Sequence, residues 1–85
     1  MMTNIYFEWE GKSPYQWDYC DVVLWLIDVC IKYHIPLWEV TRLFDTIPCG
    51  KELCELSFEY FLDICPKYGL LIFEELHLTI QVFIT

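Results

Sequence analysis

The sequence predicts an all-α fold, a bundle of about five short helices in one domain. Three observations point there. Proline and glycine punctuate the chain at Gly11, Pro14, Pro36, Pro48, Gly50, Pro66 and Gly69, and the segments between them have helical length. Apolar residues inside those segments step by three and four, the period of a helix with one buried face. The 85 residues are 56% hydrophobic and 19% aromatic, enough for one core and too apolar for a disordered chain.

The first helix runs from about Asp18 to Tyr33. Asp18 is an N-cap residue and Asp21 adds negative charge to the first turn. Val22, Trp25, Leu26 and Val29 form its apolar stripe. Pro36 opens a second helix, because its missing N–H falls where no intrahelical partner exists. Leu37, Val40 and Phe44 share a face of that helix, and Pro48-Cys49-Gly50 breaks it. Lys51–Leu56 has room for one short helical turn. Ser57 is the N-cap of a fourth helix, Phe58 to about Cys65, which Pro66 ends.

The last segment, about Lys67 to Gln81, has two readings. Phe73, Leu76, Ile80 and Phe83 fit a helix, whereas Leu76, Leu78, Ile80, Val82 and Ile84 alternate like a strand. A lone strand has no partner here, so a helix to about Gln81 with a frayed apolar end is expected. Residues 1–13 read as an N-terminal arm, 14–81 as the folded domain and 82–85 as a tail.

Composition excludes several function classes. The net charge is -8, from five Lys+Arg against thirteen Asp+Glu, which disfavours nucleic acid and anionic membranes. Lys12, Lys32, Arg42, Lys51 and Lys67 are scattered rather than grouped. Neither a secretory signal nor a membrane span is evident; the longest apolar run, Val22–Ile27, falls well short of the roughly 20 residues a span needs. The five cysteines, Cys20, Cys30, Cys49, Cys54 and Cys65, are odd in number and lack C-x-x-C spacing. They read as buried, reduced thiols in an intracellular protein, with a disulfide framework or a zinc site as the alternatives.

An enzyme needs converging groups with tuned pKa values. His34 and His77 are far apart, no phosphate loop or nucleophile motif is present, and Glu74-Glu75 and Glu8/Glu10 read as solvated faces. No catalytic residue, metal or cofactor is assigned.

Three blocks carry a family resemblance. The first is Trp17-Asp18-Tyr19-Cys20-Asp21-Val22-Val23-Leu24-Trp25-Leu26. The second is Gly50-Lys51-Glu52-Leu53-Cys54-Glu55-Leu56-Ser57, followed by Phe61. The third is Pro66-Lys67-Tyr68-Gly69, then Leu76. From Pro14 to about Ile80 the chain resembles the Pointed domain of ETS transcription regulators, a branch of the SAM fold. The blocks match the family patterns W-x4-V-x2-W-[LIV], G-x-x-L-C-x-L-[ST]-x3-F and P-x2-G-x6-L. The stretch between Ile35 and Gly50 is a few residues longer than in several members.

The resemblance implies a nuclear protein-interaction module. Its partners would be other Pointed or SAM domains, transcriptional coregulators, or a MAP kinase. A SAM-like adaptor outside transcription is the alternative reading, and an RNA-binding SAM domain a further one that the scattered cations disfavour.

In polymer-forming members a middle surface of one copy meets an end-helix surface of the next. The matching positions here are Glu52, where those members hold a small apolar residue, and Leu71, where the apolar character is kept. In kinase-docking members an apolar trio follows the conserved phenylalanine; here it is Leu62, Ile64 and Tyr68. Ser13, before Pro14, is the candidate proline-directed phosphosite. The plain alternative for these apolar residues is core packing.

Overall fold

The computed structural model describes residues 11–47 and 49–84, and these form an all-α bundle. A 3-10 turn at Pro14–Gln16 leads into α1 (Tyr19–Tyr33). A second 3-10 turn at Leu37–Val40 runs into α2 (Thr41–Thr46). Then come α3 (Gly50–Glu55), α4 (Phe58–Ile64) and α5 (Gly69–Ile84). Among the described residues there is no strand. The expected arm at residues 1–13 lies outside the described residues for its first ten positions.

Local chemistry sets each boundary. Asp18 caps α1 through a reciprocal box: its Oδ1 accepts from the Asp21 N–H at 2.8 Å, and Asp21 Oδ2 accepts from the Asp18 N–H at 3.1 Å. Lys12 Nζ donates to the same Asp21 oxygen at 2.9 Å. Lys12 and Ser13, in the segment read as an arm, thus both make contacts with the first turns of the helical body.

Asp21 is only 4% exposed. Burial alone raises its carboxyl pKa; the Lys12 ammonium and the Asp18 N–H together outweigh that and lower it. A depressed folded pKa stabilises the fold above the unfolded value of about 3.9 and ceases to do so as pH falls through the folded pKa. The stability gap between the parent and Asp21→Asn is therefore expected to be widest near neutral pH and to close below about pH 4. Urea denaturation across pH checks this, and a gap unchanged from neutral to acid pH would rule it out.

At its C-terminus α1 is stopped by His34, in the left-handed region at φ 57° and ψ 42°, where its N–H donates to the Cys30 and Ile31 carbonyls. Histidine tolerates this conformation better than branched residues do. Ser57 caps α4, its side chain accepting from the Tyr60 N–H at 3.1 Å.

Pro36 behaves differently from expectation. It precedes a 3-10 turn, its carbonyl accepting from the Glu39 N–H at 3.0 Å, and the α-helix begins only at Thr41. Val40 sits at the join with φ -119° and ψ 13°, which resets the helical phase. As a result Leu43 enters the core beside Val40, Phe44 is half-buried and Leu37 is exposed. The shared face read for Leu37, Val40 and Phe44 does not form.

The core unites Trp17, Val22, Trp25, Leu26 and Val29 with Leu53, Phe61, Ile64, Ile72, Leu76 and Ile80. Trp17 and Trp25 meet with ring centroids 5.5 Å apart, and Phe61 meets Phe73 edge-on at 5.5 Å. Two glycines permit the closest approaches. A Cβ on Gly50 would lie 1.9 Å from the Pro14 carbonyl oxygen, and one on Gly69 would lie 2.7 Å from that of Phe61. Neither glycine has a positive φ, so close packing rather than backbone freedom requires them.

The last segment is helical to Ile84, so the expected end at Gln81 is exceeded and no strand forms at 76–84. Among its described apolar side chains every fourth one, Ile72, Leu76 and Ile80, is buried; Leu78 and Val82 stay exposed. Among the described residues, no helix is long and apolar enough to cross a membrane.

Three cysteines, Cys30, Cys54 and Cys65, are buried free thiols, and burial pushes Cys54 up to about 11, with Glu55 and Cys49 adding to it. Cys20 is exposed and Cys49 half-exposed, contrary to a reading that buried all five. Glu75 is no freely solvated acid either. It accepts from Lys32 Nζ at 3.4 Å and from the Tyr33 hydroxyl, and this tie joins α1 to α5. The bond to Glu75 raises the pKa of both donors.

Candidate functional site

One shallow depression is lined by Tyr19, Phe44, Asp45, Thr46 and Ile47, another by Phe73, Glu74, His77, Leu78 and Gln81. The first holds a single carboxylate. In the second the His77 ring stacks near Phe73, centroids 4.3 Å apart. Among the described residues, no three of the His, Cys, Asp and Glu side chains stand together as a metal site.

Glu52 lies in the first turn of α3 and is exposed. Its position follows from Gly50, which is held under the first 3-10 turn by a bond from its N–H to the Trp17 carbonyl at 2.9 Å. Leu53 and Cys54 turn inward from there, and Lys51, Glu52 and Glu55 turn outward.

Leu71 is half-buried and packs against the core. It is both a packing residue and a partial surface residue, so neither simple reading of it holds alone. Its neighbour Leu70, 51% exposed, is the more open apolar residue at the start of α5, a position that sequence reasoning passed over. The signal was present: Leu70 stands two residues before the buried Ile72, about 200° round the helix from it.

The kinase-docking trio does not form one displayed surface. Ile64 is 4% exposed and belongs to the core. Leu62 and Tyr68 remain half-exposed at the α4–α5 corner, where Gly69 backs onto the Leu62 amide. Lys67 places its ammonium 5.4 Å from the Tyr68 ring centroid. Ser13 caps the first 3-10 turn, its Oγ accepting from the Tyr15 N–H at 3.4 Å, and is half-exposed.

Sequence reasoning missed an apolar surface as well. A groove at the end of α1 is lined by Ile27, Cys30, Ile31, His34, Ile35 and Leu37. Ile31 is 70% exposed, and Trp38, next to Leu37, is 74% exposed. Upstream, Leu24 and Cys20 continue the outward line at helical spacing. The sequence carried this signal, since α1 is apolar at Leu24, Ile27 and Ile31 as well as on its core stripe. A helix apolar on both faces expects cover on both.

No family model matches this chain, and neither a curated protein nor a solved structure matches it.

Proposed function

We propose that the chain is a protein-interaction module of the Pointed type, serving an ETS-type transcription regulator in the nucleus. Its partners on this reading are another Pointed or SAM domain, a coregulator or a MAP kinase. The observation that carries the reading is the placement of the head-to-tail pair. Glu52 stands in the open on α3, and Leu71 is half-open on α5 beside the exposed Leu70. Support also comes from the three sequence blocks. Trp17, Gly50 and Gly69, one from each, lie at the tightest packing junctions of an all-α bundle.

Self-association on this reading is one-sided. A homotypic head-to-tail contact buries Glu52 against the apolar start of α5, and an unpaired carboxylate in such a contact costs several kcal/mol. With net charge -8, copies also repel one another at low salt. The chain is expected not to form filaments, and to cap another Pointed domain whose middle surface is intact.

Sedimentation tests this on the parent, Glu52→Ala, Leu71→Asp and Leu70→Asp. Glu52→Ala should increase self-association, and Leu71→Asp should abolish capping. Because Leu71 packs against the core, Leu70→Asp is the cleaner variant, expected to weaken capping while circular dichroism stays unchanged. Concentration-dependent filaments of the parent would overturn the reading.

A further inference from the structure

We infer that the outer face of α1, together with the groove ending at Leu37 and Trp38, is a docking surface for a cationic amphipathic helix of another protein. It uses neither Glu52 nor Leu71 and does not rest on the proposed function.

Geometry comes first. Leu24, Ile27 and Ile31 recur at three- and four-residue spacing on the side of α1 facing away from its core stripe, spanning about 10 Å along the axis. The groove behind Ile31 is lined by Cys30, His34, Ile35 and Leu37 besides. Its far wall is held in place: Thr41 Oγ1 donates to the Trp38 carbonyl at 3.2 Å, and the Glu39 N–H to that of Pro36 at 3.0 Å. A fixed turn that displays a tryptophan beside an apolar groove has the character of an interface anchor. A partner helix offering apolar residues at i, i+3 or i+4, and i+7 matches this stripe.

Charge decides what kind of helix fits. Asp28 lies on the flank of the stripe, four residues after Leu24 and three before Ile31. Its natural helical partner is Lys32, four residues on. Lys32 instead reaches Glu75 on α5. Asp28 thus has no ion-pair partner among the described residues. Lys12 and Lys67 are engaged too, with Asp21 and Glu39. The chain as a whole is strongly acidic, at -8. An arriving lysine or arginine supplies what Asp28 lacks, and the surrounding field draws it in. A second copy does not: crossing two α1 helices face to face at Ile27 brings one Asp28 carboxylate toward the other.

The test uses the whole chain and two synthetic 18-residue helices. Both carry leucines at the matching spacing; one has lysines on the flanks, the other glutamates. Amide and indole NMR shifts of the chain are followed during titration. The lysine peptide is expected to shift Leu24 to Trp38, including one tryptophan indole that Trp38→Phe removes. Ile31→Glu and Trp38→Ala should each weaken its binding at least tenfold with circular dichroism unchanged, and Asp28→Asn should weaken it chiefly at low salt. Equal binding of the glutamate peptide, shifts confined to other faces, or no binding would overturn the inference. So would a dimer of the chain that Ile31→Glu dissolves, or anionic vesicle binding lost in the same variant.

Discussion

Gly50→Ala is expected to be among the most damaging single substitutions in this chain, with a loss of about 3 kcal/mol or more. The added Cβ would stand 1.9 Å from the Pro14 carbonyl oxygen and 2.7 Å from the Trp17 Cβ. The first of these is backbone, so no rotamer change relieves it. Either the 3-10 turn lifts away from α3, breaking the bond from the Gly50 N–H to the Trp17 carbonyl, or Trp17 leaves its place in the core. Both expose apolar surface that nothing else covers. Urea denaturation should show a lower midpoint at an unchanged slope. A midpoint equal to that of the parent would mean that the seam between the first turn and α3 yields more easily than its geometry implies.

Phe61→Ala should cost about 3–5 kcal/mol, the range for removing a fully buried aromatic ring. Phe61 has no exposed surface and lies edge-on to Phe73, so truncation leaves a cavity and strips Phe73 of a neighbour. The backbone of α4 restricts collapse, because the Phe61 carbonyl is bonded to the Cys65 N–H and abuts Gly69. A domain this small has about 5–10 kcal/mol in all. The variant should therefore melt far below the parent in a thermal scan followed by circular dichroism. A loss under about 1 kcal/mol would show that neighbouring side chains fill the space.

Much of the fold was legible because the features that specify it are local. Asp18 and Ser57 are capping residues and do cap; Gly50 and Gly69 stand at tight junctions; the stripe of α1 meets the core. What the sequence left open depended on phase or on distance. Leu76, Leu78, Ile80 and Val82 satisfy two periods at once, and only packing against α4 reveals that alternate members stay outside. Pro36 signals a helical start but not that the first turn is 3-10, and that shift exchanged Leu37 for Leu43. Lys12 with Asp21 and Lys32 with Glu75 join residues that no periodicity relates.

The surfaces followed the same division. Glu52 was readable as outward once Leu53 was taken as core, since adjacent helical residues diverge by about 100°. Leu71 was not, because its half-burial depends on what α5 lies against. Ile64 had two readings, docking residue or core packing, and it is a core one. The outer stripe of α1 was written in the sequence but masked by the stronger inner stripe of the same helix.

The meeting of the first 3-10 turn with α3 has a consequence for the order of assembly. The α4–α5 hairpin closes across four residues, Cys65 to Tyr68, so its contacts form at small entropic cost. The Trp17–Gly50 seam encloses both α1 and α2, and the chain must order that long loop before the seam returns any stabilisation. A full-length chain refolding from the denatured state can therefore own its C-terminal corner early, while its most exacting junction waits for everything between Trp17 and Gly50 to be in place.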